Sequence, residues 1–405
     1  MKKLKVLIVD DSAVVRKVLT EAMASDPSIE VVGIAANGKI ALAKIPVLAP
    51  DLITLDVEMP EMDGLETLSE IRKLYPTLPV IMFSTLTDRG TQITVDALAL
   101  GANDYLAKPC NTGSLGATVK AIQDELIPKI KVFCKRSCPL TITTTRSDSA
   151  PASGYRLSPG VGQKPSPSGL PSRIVDASPG NPSAAWPTKP ASRAFTNPSS
   201  RIDAIVIGTS TGGPNALTQV LPLLPADLPV PILIVQHMPP VFTARLAERL
   251  DQLSKLSVVE AAEGMPVLPG RAYLAPGDYH MSLQRLGTQI KIKLNQDAPE
   301  NSCRPAVDVL FRSAIQTWGG NLLAFVLTGM GQDGMKGSEM IRETGGTILA
   351  QDEASSVVWG MPGAVSRAGL AHEVLPLADV PAALGRYVRQ GRPASSLQTL
   401  GVSNT

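Results

Sequence analysis

Between Lys5 and about Pro128, short apolar runs alternate with stretches of helical spacing. Residues 6–9, 29–35, 52–55, 80–83 and 105–107 are apolar, β-branched or aromatic runs of strand length, and after the first of them Val14/Val15, Val18/Leu19 and Ala22/Met23 recur one helical turn apart. Five strands, each followed by a helical pattern, predict a doubly wound α/β domain: a parallel sheet with helices on both faces, flavodoxin-like in arrangement. The same alternation resumes at Ile202. Residues 202–207, 231–235, 322–327 and 347–350 have the continuous apolar character of buried strands, and residues 242–253 and 305–317 have helical spacing. Residues 272–274 and 290–294 are expected to form an inserted hairpin. The second domain is thus also predicted to be α/β with a parallel sheet.

Between the two, periodicity disappears. Residues 139–200 hold 11 prolines and 12 serines, a composition that buries too little apolar surface to offset chain entropy. The expected organisation is a first domain over 1–128, a Pro/Ser-rich disordered linker over 129–200, a second domain over 201–390 and a disordered tail over 391–405.

Charge narrows the function classes. Lys plus Arg number 38 against 36 Asp plus Glu, a formal net charge of +2, so no global field draws the chain to nucleic acid or anionic lipid. Lys2, Lys3 and Lys5 precede an apolar run, but the run ends at Asp10-Asp11, too short for a signal segment, and no other stretch approaches a membrane span. Cys110, Cys134, Cys138 and Cys303 have neither disulfide-framework nor zinc-site spacing and read as reduced thiols. A cytoplasmic protein without nucleic-acid binding or membrane insertion is expected.

Chemistry-bearing residues gather at the carboxyl ends of the predicted strands, where an open α/β sheet places its crevice. In the first domain these are Asp10 and Asp11 after the first strand, Asp56 after the third, Ser84 and Thr85 after the fourth, and Lys108 after the fifth. Singly, each has an ordinary explanation as a cap, a turn residue or a solvated charge. Together, carboxylates converging on one crevice repel one another unless a divalent cation joins them, and hard oxygen ligands suit Mg²⁺. Asp56 could then attack a phosphoryl group, with Lys108 paired to the phosphate and the Ser84 hydroxyl moving to bond it.

In the second domain, IDAIVIGTSTGGPNAL is a strand running into a Gly-rich turn and a helix, with Ser210 at the turn. Amides at such a helix start can hold an oxyanion. A nucleophilic serine needs a base, and the chain has three histidines: His237, His280 and His372. His237 follows ILIVQ and stands at the same rim as Ser210. His280 falls in the hairpin region, and His372 precedes a strand, which puts it at the opposite rim. Asp333, in the Gly-rich loop after residues 322–327, is the best-placed orienting carboxylate; Asp297 and Asp352 are rivals that follow no such central strand. The order Ser210, His237, Asp333 differs from the Ser, acid, His order of α/β-hydrolases, which would pair Ser210 with Asp333 and His372.

The motifs VDDS, LDVEMPEMDGLE, FSTLT and AKP resemble the receiver domain of bacterial two-component response regulators. That resemblance implies phosphorylation on Asp56, Mg²⁺ held by Asp11, Asp56 and the Glu58 carbonyl with help from Asp10, and Tyr105 coupled to Ser84 and Lys108 in the switch. Residues 202 to about 385 resemble the catalytic domain of CheB-type chemotaxis protein-glutamate methylesterases through IGTSTGG, QHMPPVFTARLAERL, LPGRAYLAPGDYHM, RPAVDVLFRS, LTGMGQDG and GMPGAV. It implies Ser210 as nucleophile, His237 as base then acid, Asp333 as the group fixing the His237 tautomer, and glutamine deamidation as a second activity. The backbone amides of Thr211 and Met330 are the expected oxyanion hole. Methyl-accepting chemoreceptors would be the substrates and a chemotaxis histidine kinase the phosphodonor, with the unphosphorylated receiver docked near Ser210. Two departures stand out: Cys303 and Ala306 occupy positions where the family often has His and Ser, and the linker is long. A receiver fused to a pure binding module, or to an esterase for a non-receptor substrate, are the alternatives.

Overall fold

The structure is a computed structural model, and it describes residues 3–85, 87–108, 115–136 and 201–390. The expected linker core and tail, with Cys110 and Cys138, lie outside them.

In the first domain the strands are β1 (Leu4–Val9), β2 (Ile29–Ala35), β3 (Leu52–Asp56), β4 (Val80–Ser84) and β5 (Asp104–Ala107), each followed by a helix: α1 (Ala13–Ala24), α2 (Gly38–Leu48), α3 (Gly64–Leu74), α4 (Asp88–Ala99) and α5 (Leu115–Arg136). They form one parallel sheet in the order β2-β1-β3-β4-β5. The helices begin where their sequences cap them. Ser12 accepts from the Val15 amide, and Asp63 and Glu66 form a reciprocal capping box at α3. Gly64 starts α3 for a steric reason: a Cβ there would stand 2.1 Å from the carbonyl oxygen of Asp56.

One boundary moves. The first domain is expected to close near residue 128, yet α5 continues to Arg136 with Pro128 inside it. An internal proline costs about 3 kcal/mol of helix stability. Beyond Pro128, Ile130, Phe133 and Cys134 are buried in the same core as Val6, Ile8 and Ile81, and burying such side chains is worth roughly 1.5–3 kcal/mol each for the larger ones. Burial outweighs the proline.

The second domain contains β6 (Ala204–Thr209), α6 (Gly213–Val220), β7 (Ile232–Gln236), α7 (Phe242–Leu253), β8 (Ser257–Glu260), β9 (Arg271–Leu274), β10 (His280–Leu286), β11 (Gln289–Asn295), α8 (Val307–Trp318), β12 (Leu322–Val326), α9 (Met335–Glu343), β13 (Thr347–Gln351), α10 (Met361–Arg367), β14 (Glu373–Leu375) and α11 (Val380–Arg389). Its parallel sheet runs β14-β13-β12-β6-β7-β9-β8. The expected hairpin is half right. Residues 290–294 do pair in a hairpin, but their partner is β10; residues 272–274 belong to β9, parallel to β7 and β8 in the main sheet. A three-residue apolar run has no periodicity that separates a hairpin arm from a sheet strand.

The receiver and the second domain also meet. The Tyr105 ring at β5 stacks on Phe242 at the start of α7, Asn215 Nδ2 donates to the Ala102 carbonyl at 3.2 Å, and Arg245 reaches Asp88 at 3.4 Å.

Candidate active site

Strands β6 and β7 are neighbours in register, with Thr209 opposite Gln236, so the next residues, Ser210 and His237, leave the sheet side by side. The backbone is fixed on both sides of this step. The Ser210 N–H donates to the Thr328 carbonyl at 3.1 Å and the His237 N–H to the Thr209 carbonyl at 3.1 Å, while Gln236 Nε2 donates to the carbonyls of both Ser210 and His237 at 3.0 and 3.1 Å. Gly329 makes this packing possible, since a Cβ there would lie 2.9 Å from the Cβ of Ser210.

Asp333 follows β12, the strand on the other side of β6, and its Oδ2 lies 2.8 Å from His237 Nε2. It is almost fully buried, and its remaining capacity is taken by donors. Oδ2 accepts from the Val307 amide at 2.6 Å; Oδ1 accepts from the amides of Asp308 and Gly334, both at 3.0 Å, and from Asn301 Nδ2 at 2.8 Å. The first two amides open α8, so the positive end of a helix faces the carboxylate. Burial opposes the charge on Asp333, but the hydrogen bond and charge of His237 and the α8 amides outweigh it and hold the carboxyl below its usual range.

With Nε2 engaged by a carboxylate that only accepts, His237 carries a proton there and presents Nδ1 to the cavity. Cys303 Sγ lies 3.5 Å from that Nδ1. Burial alone would lower the His237 pKa; the bond to Asp333 and then that to Cys303 outweigh it and push it up to about 9. Ser210, Thr211, His237, Cys303 and Met330 line one cavity of about 790 Å³, which the receiver's Tyr105 also lines.

The other histidines serve structure. His280 Nδ1 accepts from the Ala306 amide at 3.2 Å, and His372 Nδ1 accepts from the Ile348 amide at 3.0 Å, at the amino-terminal end of β13. The rival carboxylates are also elsewhere: Asp297 is exposed, and Asp352 accepts from the Ser355 amide in a turn. Sequence reasoning missed Asn301 and Asp308. Asn301 Nδ2 reaches both Asp333 and Asp308 (3.0 Å to the latter), and Asp308 is buried with its pKa raised to about 6, first by burial and then, against the Gly337 amide, by the charge of Asp333. The signal available was Asp308 at the start of a helix beside a catalytic loop, and nothing in the chain order linked it to Asp333.

In the receiver, Lys108 Nζ lies 2.8 Å from Asp56 Oδ1 and 3.1 Å from Asp10 Oδ2. Carboxylate oxygens of Asp10, Asp11 and Asp56 come within 4.8 Å of one another, with Asp10 and Asp56 buried and Asp11 exposed. Such a donor set fits a hard divalent cation. Burial, against the Lys108 bond and with the Asp10 charge, pushes the Asp56 pKa up to about 6. The Ser84 hydroxyl donates to the Gly90 carbonyl at 3.1 Å, and Glu58 reaches Arg89 with its side chain at 3.8 Å.

Residues 6–120 match the response regulator receiver domain and residues 205–384 match the CheB methylesterase domain. A protein-glutamate methylesterase/protein-glutamine glutaminase of Trichodesmium erythraeum is 49% identical over 93% of this chain and 97% of its own length. One of the same name from a Nocardioides strain is 47% identical over 97% of this chain and 98% of its own. With both domains matched in order and identity sustained across nearly the whole length, the chain belongs to the CheB methylesterase family, the receiver-linked protein-glutamate methylesterases/protein-glutamine glutaminases.

Proposed function

We propose that this chain is a phosphorylation-activated protein-glutamate methylesterase that hydrolyses γ-glutamyl methyl esters on methyl-accepting chemoreceptors and deamidates receptor glutamines. The observation that carries the chemistry is His237 held at Nε2 by Asp333, 2.8 Å away, with Nδ1 turned into the cavity that Ser210 lines. Nδ1 takes the Ser210 proton as the hydroxyl oxygen attacks the ester carbonyl. The C–O bond to methoxide then breaks, His237 returns the proton, and methanol leaves an acyl-enzyme. Water repeats the sequence to give glutamate; with a glutamine side chain the first leaving group is ammonia. Neither the Thr211 nor the Met330 N–H donates to another group among the described residues, so both are available to the tetrahedral oxyanion.

Regulation follows from the receiver's place at the same cavity. A receptor helix would be hindered from reaching Ser210 while Tyr105, Glu125 and Lys129 of the receiver line the same cavity. Phosphate on Asp56, supplied by a chemotaxis histidine kinase, would draw the Ser84 hydroxyl off Gly90 and, through Tyr105, weaken the stack on Phe242. Mg²⁺ held by Asp10, Asp11, Asp56 and the Glu58 carbonyl would neutralise charge at the phosphorylation site. The proposed enzyme acts on the receptors from the cytoplasm; among the described residues no helix is long and apolar enough to cross a membrane.

The test is methanol release from methylated receptor membranes, with and without a small-molecule phosphodonor, beside hydrolysis of a generic ester. Release stimulated by the phosphodonor supports the proposal. Hydrolysis of the generic ester alone would assign the chain to a non-receptor substrate.

A further inference from the structure

We propose that Cys303 is a second reactive centre of this cavity: a thiol activated by His237, whose capping by a hydroperoxide or an alkylating electrophile shuts off the esterase. Asp333 occupies Nε2 of His237, so Nδ1 is the basic nitrogen, and the group in hydrogen-bond range of Nδ1 is the Cys303 sulfur at 3.5 Å. The thiol can therefore donate to the neutral imidazole, whose far side is held by Asp333, and pass its proton to Nδ1 as sulfur attacks an electrophile. Thiols paired with a histidine in partly exposed sites are the ones that react. Cys303 meets the access condition as well, being only half-buried and on the wall of the cavity. Cys134 is the contrast within the chain: burial, then the charge of Asp51, pushes its thiol up to about 12, and it packs in the receiver core.

The chemistry balances without further groups. The S–H proton passes to Nδ1. With a hydroperoxide, the thiolate electron pair attacks one peroxide oxygen, the O–O bond breaks and an S–O bond forms. Sulfur is oxidised by two electrons, and the departing alkoxide or hydroxide takes the proton from Nδ1, leaving a sulfenic acid and an alcohol or water. With iodoacetamide, an S–C bond forms, iodide leaves and the proton goes to solvent. In each product the added atoms sit on the sulfur that faces Nδ1, on the wall of the cavity that Ser210 also lines. The loss of esterase activity rests on His237 acting as the base for Ser210; the reactivity of the thiol does not.

The experiment treats the full-length protein with iodoacetamide and, separately, with hydrogen peroxide. Peptide mass spectrometry follows adducts at all four cysteines while methanol release from methylated receptor membranes is measured. Cys303→Ala and Cys303→Ser are compared each with its own untreated rate, and labelling of Cys303 is timed in His237→Ala. Expected are adducts at Cys303 well before Cys134, a fall in wild-type activity of about tenfold or more in step with Cys303 labelling, resistance in both Cys303 variants, and labelling slowed on the order of tenfold in His237→Ala. Full alkylation of Cys303 with the rate retained, equal inactivation of the Cys303 variants, or an unchanged labelling rate in His237→Ala would each overturn the proposal. If untreated wild-type protein releases no methanol, the esterase assignment is what fails, and the labelling comparison alone decides whether His237 activates the thiol.

Discussion

The ring of Tyr105 lies stacked on that of Phe242, centroids 4.6 Å apart and planes inclined by 21°, so the β5 aromatic of the receiver is packed against the helix that follows His237. Tyr105 is buried, and Lys129 fixes its backbone from α5, donating to the Tyr105 carbonyl at 2.7 Å while paired with Asp104 at 3.1 Å. A stacked pair adds about 0.5–1.5 kcal/mol beyond its buried area. Tyr105→Ala is therefore expected to raise methanol release without phosphodonor by at least about two- to tenfold and to blunt further stimulation, whereas Asp56→Asn stays at the resting rate. Basal activity unchanged in Tyr105→Ala would remove this stack from the regulatory contact.

Ser210→Ala should reduce ester hydrolysis on the order of 10⁵-fold or more with the fold intact, because no other hydroxyl replaces it. His237→Ala should cost nearly as much. Asp333→Asn should retain more activity, falling about 10²- to 10⁴-fold, since base and nucleophile remain but the tautomer and the imidazolium lose support. His372→Ala, bonded to Ile348, should be close to wild type; an inactive His372→Ala with a normal His237→Ala would reverse the assignment of the base.

Asn301 bridges two buried carboxylates, Asp333 at 2.8 Å and Asp308 at 3.0 Å. Asn301→Ala leaves both short of a donor, at about 1–3 kcal/mol. Part of that loss should appear as lower stability and part as a kcat decrease of roughly tenfold with little change in KM, because of the two carboxylates Asp333 is the one bonded to His237. A pure KM effect would mean that Asn301 contacts substrate instead.

The raised pKa of His237, about 9 against an ordinary 6.5, has a signed consequence for stability. The folded state holds this proton more tightly than the unfolded chain, so the contribution is fully present below about pH 6.5 and is lost as pH rises through about 9. The base must be neutral to act, so resting-state hydrolysis should climb over the same interval. His237→Gln should flatten the melting temperature between pH 7 and 9; an undiminished slope would show that another group carries it.

Asp56 works in the same sense at lower pH, because its pKa too is raised, to about 6. Its protonated form suits the fold, so stability declines as pH rises from about 4 through 6 and the ion forms beside Asp10. Mg²⁺ should offset that decline, raising the receiver's melting temperature more at pH 8 than at pH 5. Asp56→Asn should reduce the difference, and equal shifts at both pH values would argue against binding at these carboxylates.

Strand and helix identity was written locally, in uninterrupted apolar runs such as 204–209 and 322–326 whose every residue is buried, and so were Ser210, His237 and Asp333, because parallel strands all end at one rim. Local pattern failed where two structures share it. The run at 272–274 fits a hairpin arm or a sheet strand equally, and Pro128 marks a helix end unless burial beyond it outweighs the lost hydrogen bond. Tertiary structure alone decided which nitrogen of His237 faces which group. Cys303 lies 66 positions away in the chain and Asp333 lies 96, and only the fold of the loop before α8 brings sulfur to Nδ1 and Asn301 to Asp333. The Tyr105–Phe242 stack is likewise a contact between domains. Sequence periodicity records which face of an element is buried, whereas the partner across that face is set by packing at long range.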